Sequence, residues 1–167
     1  HASLTGHLVF STLHTNDSAG AITRLLDMGI EPFLVYSSVV AIIAQRLIRM
    51  ICSDCRASYS PPQEELEKLG LGSKNGKGKT FYRGRGCTSC MNTGYRGRTG
   101  IYEILVLDDE IRNLLLSKTD ANTIKSRAVE KGMTTLKQDG ATKVMRGVTT
   151  TEEILRLTQD EILDIGV

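Results

Sequence analysis

The chain has 167 residues, of which 40% are hydrophobic and 24% charged, with a formal net charge of +2. That size and balance suit one globular core with a small satellite module and exclude two full domains. A charge so close to neutral excludes a wholesale polyanion binder, so any electrostatic partner has to be met by a local patch.

No run of about 18 uncharged apolar residues occurs, and the start lacks the basic region and cleavage pattern of a secretory signal. The expected location is therefore cytoplasmic. The opening His1-Ala2-Ser3-Leu4 has no initiator methionine and almost no lead-in to an apolar run, as expected for a piece of a longer protein.

The run His7 to Leu13 is short and largely apolar with little alternation, which predicts a strand buried on both faces. It ends in the polar stretch His14-Thr15-Asn16-Asp17. Asn16 or Asp17 is placed to cap a helix whose stripe of Ala21, Ile22, Leu25, Leu26 and Met28 stops at Gly29. Pro32 suits a first helical turn, and the apolar run from Phe33 to Ile51 predicts one long buried helix closing in Gln45, Arg46 and Arg49.

From Cys52 to Arg98 the composition shifts to Gly, Lys, Arg, Ser and Thr, the mark of a separate module. Pro61-Pro62 opens a short charged helix near Gln63 to Leu69, and Gly70 to Gly78 reads as a loop. Beyond it, Gly100 to Val106 predicts a strand. Helices are expected near Asp109 to Ser117, Asn122 to Lys131, Leu136 to Arg146 and Glu152 to Thr158, with Gly132 and Gly147 as stops. Thr150-Thr151-Glu152-Glu153 has the pattern of a capping box, and the acidic tail from Gln159 to Val167 is expected to fray.

All four cysteines fall into two Cys-x-x-Cys pairs, Cys52 with Cys55 and Cys87 with Cys90. Two residues between thiolates let a tight turn aim both sulfurs at one ion, and two such knuckles complete a closed tetrahedral Zn²⁺ site with no position left for catalysis. Disulfides or free thiols are the bland alternative, disfavoured in a reducing compartment. A thioredoxin-like motif uses a single pair at a helix start, whereas Cys87 and Cys90 lie in a glycine-rich hairpin setting between Gly86 and Gly94. The long stretch from Cys55 to Cys87 is an insertion in the finger.

Lys74, Lys77, Lys79, Arg83, Arg85, Arg96 and Arg98 surround the second knuckle. Part of this charge offsets four thiolates around one Zn²⁺. The rest is either a solvated face or a docking surface for an acidic protein, a phospholipid or nucleic acid. His7 and His14 bracket the first predicted strand, His14 at the end where open α/β sheets place ligands. Satisfied core or surface histidines are the competing reading.

The stretch Ala2 to Asn16, Ala-Ser-Leu-Thr-Gly-His-Leu-Val-Phe-Ser-Thr-Leu-His-Thr-Asn, resembles the His box of the type II secretion and type IV pilus assembly ATPases. The likeness continues through Arg24 to Phe33, Ala44-Gln45-Arg46-Leu47, both cysteine pairs and Gly94 to Glu103, nearly the whole chain. The tetracysteine arrangement is that of secretion and pilus-extension ATPases rather than of retraction ATPases. The sequence contains neither a Gly-x-x-x-x-Gly-Lys-Ser/Thr loop nor an acidic Walker B or Asp box ahead of the His box.

The resemblance implies an α/β fragment of a RecA-like ATPase core with a tetracysteine zinc module and a C-terminal helical domain. The divisions it suggests are 1–51 for the RecA-like part, 52–98 for the zinc module, 99–158 for a return strand and the helical domain, and 159–167 for the tail. It further implies a homo-hexamer that hydrolyses ATP with Mg²⁺ and drives an inner-membrane platform protein from the cytoplasmic side, with no nucleic-acid partner. His7 and His14 would act catalytically near the γ-phosphate, and Arg46 would contact nucleotide or a neighbouring subunit. Lacking the phosphate loop, the chain alone is expected to be inactive. The competing class is a zinc-ribbon module that binds nucleic acid or protein, although only Phe81, Tyr82 and Tyr95 interleave with the basic residues as stacking surface.

Overall fold

The computed structural model describes residues 2–72, 78–117 and 119–158. Its order is α1 (Ser18–Asp27), α2 (Pro32–Ser38), β1 (Ala41–Ile51), β2 (Arg56–Tyr59), α3 (Gln63–Lys68), β3 (Phe81–Gly84), β4 (Tyr95–Val106), α4 (Asp109–Leu116), α5 (Ala121–Glu130), α6 (Leu136–Met145) and α7 (Thr151–Thr158). The protein is therefore α/β, with β1 paired to β4 and β2 paired antiparallel to β3. No described helix is long and apolar enough to cross a membrane. The acidic tail and residues 73–77 of the predicted loop, including Lys74 and Lys77, lie outside the described residues.

The chain forms two compact units, His1–Ala44 with Glu103–Thr134 and Gln45–Tyr102 with Thr135–Val167. In the first, Ile22 of α1, Val35 of α2, Leu105 of β4, Ile111 and Leu115 of α4 and Ile124 of α5 share one buried core. Asp17 caps α1 by accepting the Gly20 N–H at 2.8 Å, and Pro32 occupies the first turn of α2. In the second, α6 and α7 pack together, α3 packs on α7, and α6 touches β3. A Cβ on Gly140 of α6 would lie 2.7 Å from Ile154 Cγ2 of α7, so glycine permits this approach.

Two expectations are overturned. The long helix from Phe33 to Ile51 is instead the short α2 followed by β1. Helix ends at Ser38, where the β-branched run Val39, Val40, Ile42 and Ile43 favours extended backbone, and burial alternates residue by residue from Ala41 to Leu47. Both faces of this strand are apolar, which hides its period of two. Arg46 accordingly stands within a strand rather than at a helix end.

Residues 7–13 form no strand, and Leu8 and Phe10 are 80% and 87% exposed. A strand is stabilised by backbone pairing and a buried face, and among the described residues this segment has neither. The other predicted helices are present within a residue or two. Gly29, Gly132 and Gly147 stop theirs with positive φ. The capping box at α7 is half formed. Thr150 Oγ1 accepts the Glu153 N–H at 3.2 Å, but the Glu153 carboxylate is taken by Arg49. A full box instead starts α6, where Thr135 and Gln138 exchange backbone-to-side-chain bonds of 3.2 and 2.9 Å.

Candidate functional site

The cysteines converge. Each pair sits on a short 3-10 turn, Ser53–Cys55 and Thr88–Cys90, which turns both sulfurs to one side. All four Sγ atoms lie within 4.8 Å of one another. Cys52 Sγ is 3.9 Å from Cys87 Sγ, Cys55 Sγ is 3.9 Å from Cys90 Sγ, and Cys87 and Cys90 are 3.7 Å apart. A tetrahedron of sulfurs around an ion at about 2.3 Å has edges of about 3.8 Å. Disulfides need about 2.05 Å, so the four thiols are free and spaced for a metal.

The backbone builds this cage. Gly94 accepts the Cys52 N–H at 3.0 Å while its own N–H donates to Cys90 Sγ at 3.3 Å, tying the knuckles together. A Cβ on Gly84 would strike the Gly94 carbonyl oxygen, so glycine at 84 lets the end of β3 reach the start of β4. Burial pushes the Cys90 thiol up. The backbone N–H groups of Cys87 and Gly94 and the neighbouring thiols outweigh that and bring it to about 6. Burial, reinforced by the surrounding sulfurs, pushes Cys55 up to about 11. Within one cluster, Cys90 is thus shifted toward the thiolate and Cys55 away from it.

The basic residues are not one uniform patch. Arg96 meets Asp54 of the first knuckle at 3.5 Å, Arg56 stacks 3.8 Å from the Tyr82 ring, and Arg83 lies 5.3 Å from the Tyr59 ring. His7 Nδ1 is 3.0 Å from Thr5 Oγ1, and His14 is exposed. Both belong to the first unit, whereas Arg46 is half-buried on β1 in the second.

Two buried carboxylates, Glu103 and Glu153, act as anchors, a role that the sequence reading did not give them. Glu103 on β4 accepts from the Ser18 N–H at 3.0 Å and from the Ser18 hydroxyl, so it holds the first turn of α1 directly after the His14 segment. Its Oε2 has no hydrogen-bond partner among the described residues and faces the Lys125 ammonium at 3.8 Å, which also binds Asp17 at 2.8 Å. Replacing Glu103 with Ala strands the Ser18 donors and should cost about 3 kcal/mol. Glu103→Gln retains an acceptor and should cost less than half of that. Equilibrium urea unfolding of the two variants checks the order. Glu153 on α7 makes the corresponding anchor in the second unit. An acid alternating with buried Ile101 and Leu105 along a strand is the signal that could have pointed to Glu103.

Four clustered thiols set in an α/β scaffold define a protein that could hold one metal ion in a closed sulfur cage. The model of the type II/IV secretion system protein family matches residues 1–156, and the chain belongs to that family. It is 48% identical over 157 residues to the type IV pilus assembly ATPase PilB of Thermus thermophilus, covering 94% of this chain and 18% of that protein. It is 49% identical over 160 residues to type II secretion system protein E of Pseudomonas aeruginosa and 45% over 159 to type II secretion system ATPase E of Vibrio cholerae. These matches cover 96% and 95% of the chain, and the chain spans 31% of each of those two proteins.

Proposed function

We propose that the chain is part of a hexameric ATPase that powers type IV pilus assembly or type II secretion. The observation that carries this reading is identity of 45–48%, across at least 94% of the chain, to relatives named as a type IV pilus assembly ATPase and a type II secretion system ATPase. On it, residues 1–51 complete a RecA-like core, residues 52–98 are a zinc module, and residues 99–158 add a return strand and a helical domain. The exposed apolar run through Leu8 and Phe10 fits a strand whose sheet neighbours belong to the rest of such a core.

Zinc is the metal the donor set favours, because four thiolates with tetrahedral edges suit it and leave no open position. It braces the module and does no chemistry. His7 and His14 act near the γ-phosphate, where a cationic or donor side chain stabilises developing charge, and Arg46 contacts nucleotide or a neighbouring subunit. ATP and Mg²⁺ are held mainly by the phosphate-binding loop of the longer protein. The hexamer works in the cytoplasm at the inner membrane, against the platform protein of its machine.

Phosphate release tests this. In the full-length protein, His14→Ala should lower kcat by about a hundredfold, with a similar loss for His7→Ala. The 167-residue chain alone should release no phosphate from ATP and Mg²⁺ above a protein-free control. Turnover unchanged in both full-length variants removes the histidines from the mechanism.

A further inference from the structure

Beside the knuckles, the second unit holds a cleft of about 750 Å³, within the range of ligand pockets. Half-buried Tyr59 and Tyr95 form its floor, and Arg83, Arg85, Glu65 and Glu152 also line it. Arg83 is on β3 and Arg85 directly follows that strand. Both are exposed, and neither has an ion-pair partner among the described residues. The Arg83 guanidinium is steadied over the Tyr59 ring at 5.3 Å.

The floor is preformed. Tyr59 Oη and Thr151 Oγ1 are 3.0 Å apart, Tyr95 Oη and Thr150 Oγ1 are 2.7 Å apart, and Thr150 and Thr151 are buried at the start of α7. Thr151 in turn donates its hydroxyl to Glu65. A ligand therefore meets a fixed floor and loses little to its ordering.

We propose that this cleft docks an acidic peptide segment of a partner protein. Paired guanidinium forks match carboxylates, and two tyrosine rings offer contact area of low entropic cost. The two glutamates in the same lining decide the class. They repel a polyphosphate or nucleic-acid backbone, whose charge is continuous, but accept the N–H groups that a peptide carries between its carboxylates. The site takes no part in ATP chemistry, so it stands or falls apart from the ATPase reading.

The test is selection from a random peptide display library on the full chain, its metal content recorded, followed by fluorescence anisotropy with the enriched peptides. Enrichment in Asp and Glu is expected, together with amide shifts in the NMR spectrum of the unmutated chain at Tyr59, Arg83, Arg85 and Tyr95. The double variant Arg83→Glu/Arg85→Glu should bind at least about tenfold more weakly. Arg98→Glu, a change outside the cleft, should stay within about twofold. The proposal is overturned by selected peptides without acidic residues, or by shifts confined to other surfaces. It is equally overturned if Arg98→Glu loses as much binding as the double variant, or if pyrophosphate or single-stranded DNA displaces the peptide at concentrations below the peptide's own Kd.

Discussion

Cys90→Ser is expected to lower bound metal from about one ion per chain to almost none and to unfold much of the second unit. Cys90 is buried, and its sulfur is the acceptor for two backbone N–H groups, from Cys87 and Gly94. Gly94 also receives the Cys52 N–H, so loss of this ligand loosens both knuckles together. A serine hydroxyl is a poor replacement, being harder than a thiolate, on a shorter bond, and not ionised at neutral pH.

The size of the effect follows from what else holds the region. Between Cys55 and Cys87 the described structure has only the four-residue strands β2 and β3 and the six-residue α3. Elements so short are marginal on their own. Structural zinc in small domains contributes about 10 kcal/mol or more to folding, which is comparable to the whole stability of a typical domain. Elemental analysis and a thermal melt check the variant, and a strong chelator added to the unmutated chain should reproduce its melt. A Cys90→Ser protein that retains one metal ion and its melting midpoint would refute the tetrathiolate site.

What could be read from the sequence was local. Asp17 and Pro32 start helices, Gly29, Gly132 and Gly147 end them, and the two Cys-x-x-Cys spacings pointed to the four thiols that cluster, because each signal depends on a few neighbouring residues. What could not be read depends on partners distant in the chain. Residues 41–51 are apolar on both faces, so neither a helical nor an alternating stripe stands out, and β4 decides the outcome by supplying a strand to pair with. The 7–13 segment has every local mark of a strand and no neighbour among the described residues. Glu153 looked like half of a local capping box, yet Arg49, 104 positions earlier, takes its carboxylate. The same distance hides Glu103 and Ser18, separated by 85 positions.

That exchange makes Glu153 a buried side-chain anchor of the second unit. Its side chain is 0% exposed, with Arg49 Nη2 at 2.6 Å from Oε2 and Arg156 Nη2 at 3.0 Å from Oε1. The Arg49 backbone N–H also donates to it at 3.0 Å, and the Arg49 guanidinium lies 4.1 Å from the Tyr95 ring. One carboxylate thus fastens α7 to β1. Removing one member of a buried pair costs about 3–5 kcal/mol when the survivor stays buried. Arg49 and Arg156 side chains are 43% and 55% exposed, so after Glu153→Ala both cations turn to water, and a loss near 3 kcal/mol is expected. Arg49→Ala should cost more than Glu153→Ala, because it leaves the carboxylate buried with fewer donors. Arg156→Ala should cost least.

The pH dependence has a definite sign. Burial pushes the Glu153 carboxyl upward, but hydrogen bonds from Arg49 and Arg156 outweigh it and leave its folded pKa below the ordinary 4.5. A carboxyl lowered on folding adds stability that is complete above its unfolded pKa and fades as pH falls through the folded one. Urea unfolding from neutrality to pH ~3 should therefore show a steepening loss below pH ~4.5 in the unmutated chain. In Glu153→Gln that limb should be shallower, since the amide has no proton to gain. Identical acid limbs for the two proteins would mean that the Arg49–Glu153 clamp contributes nothing through its charge.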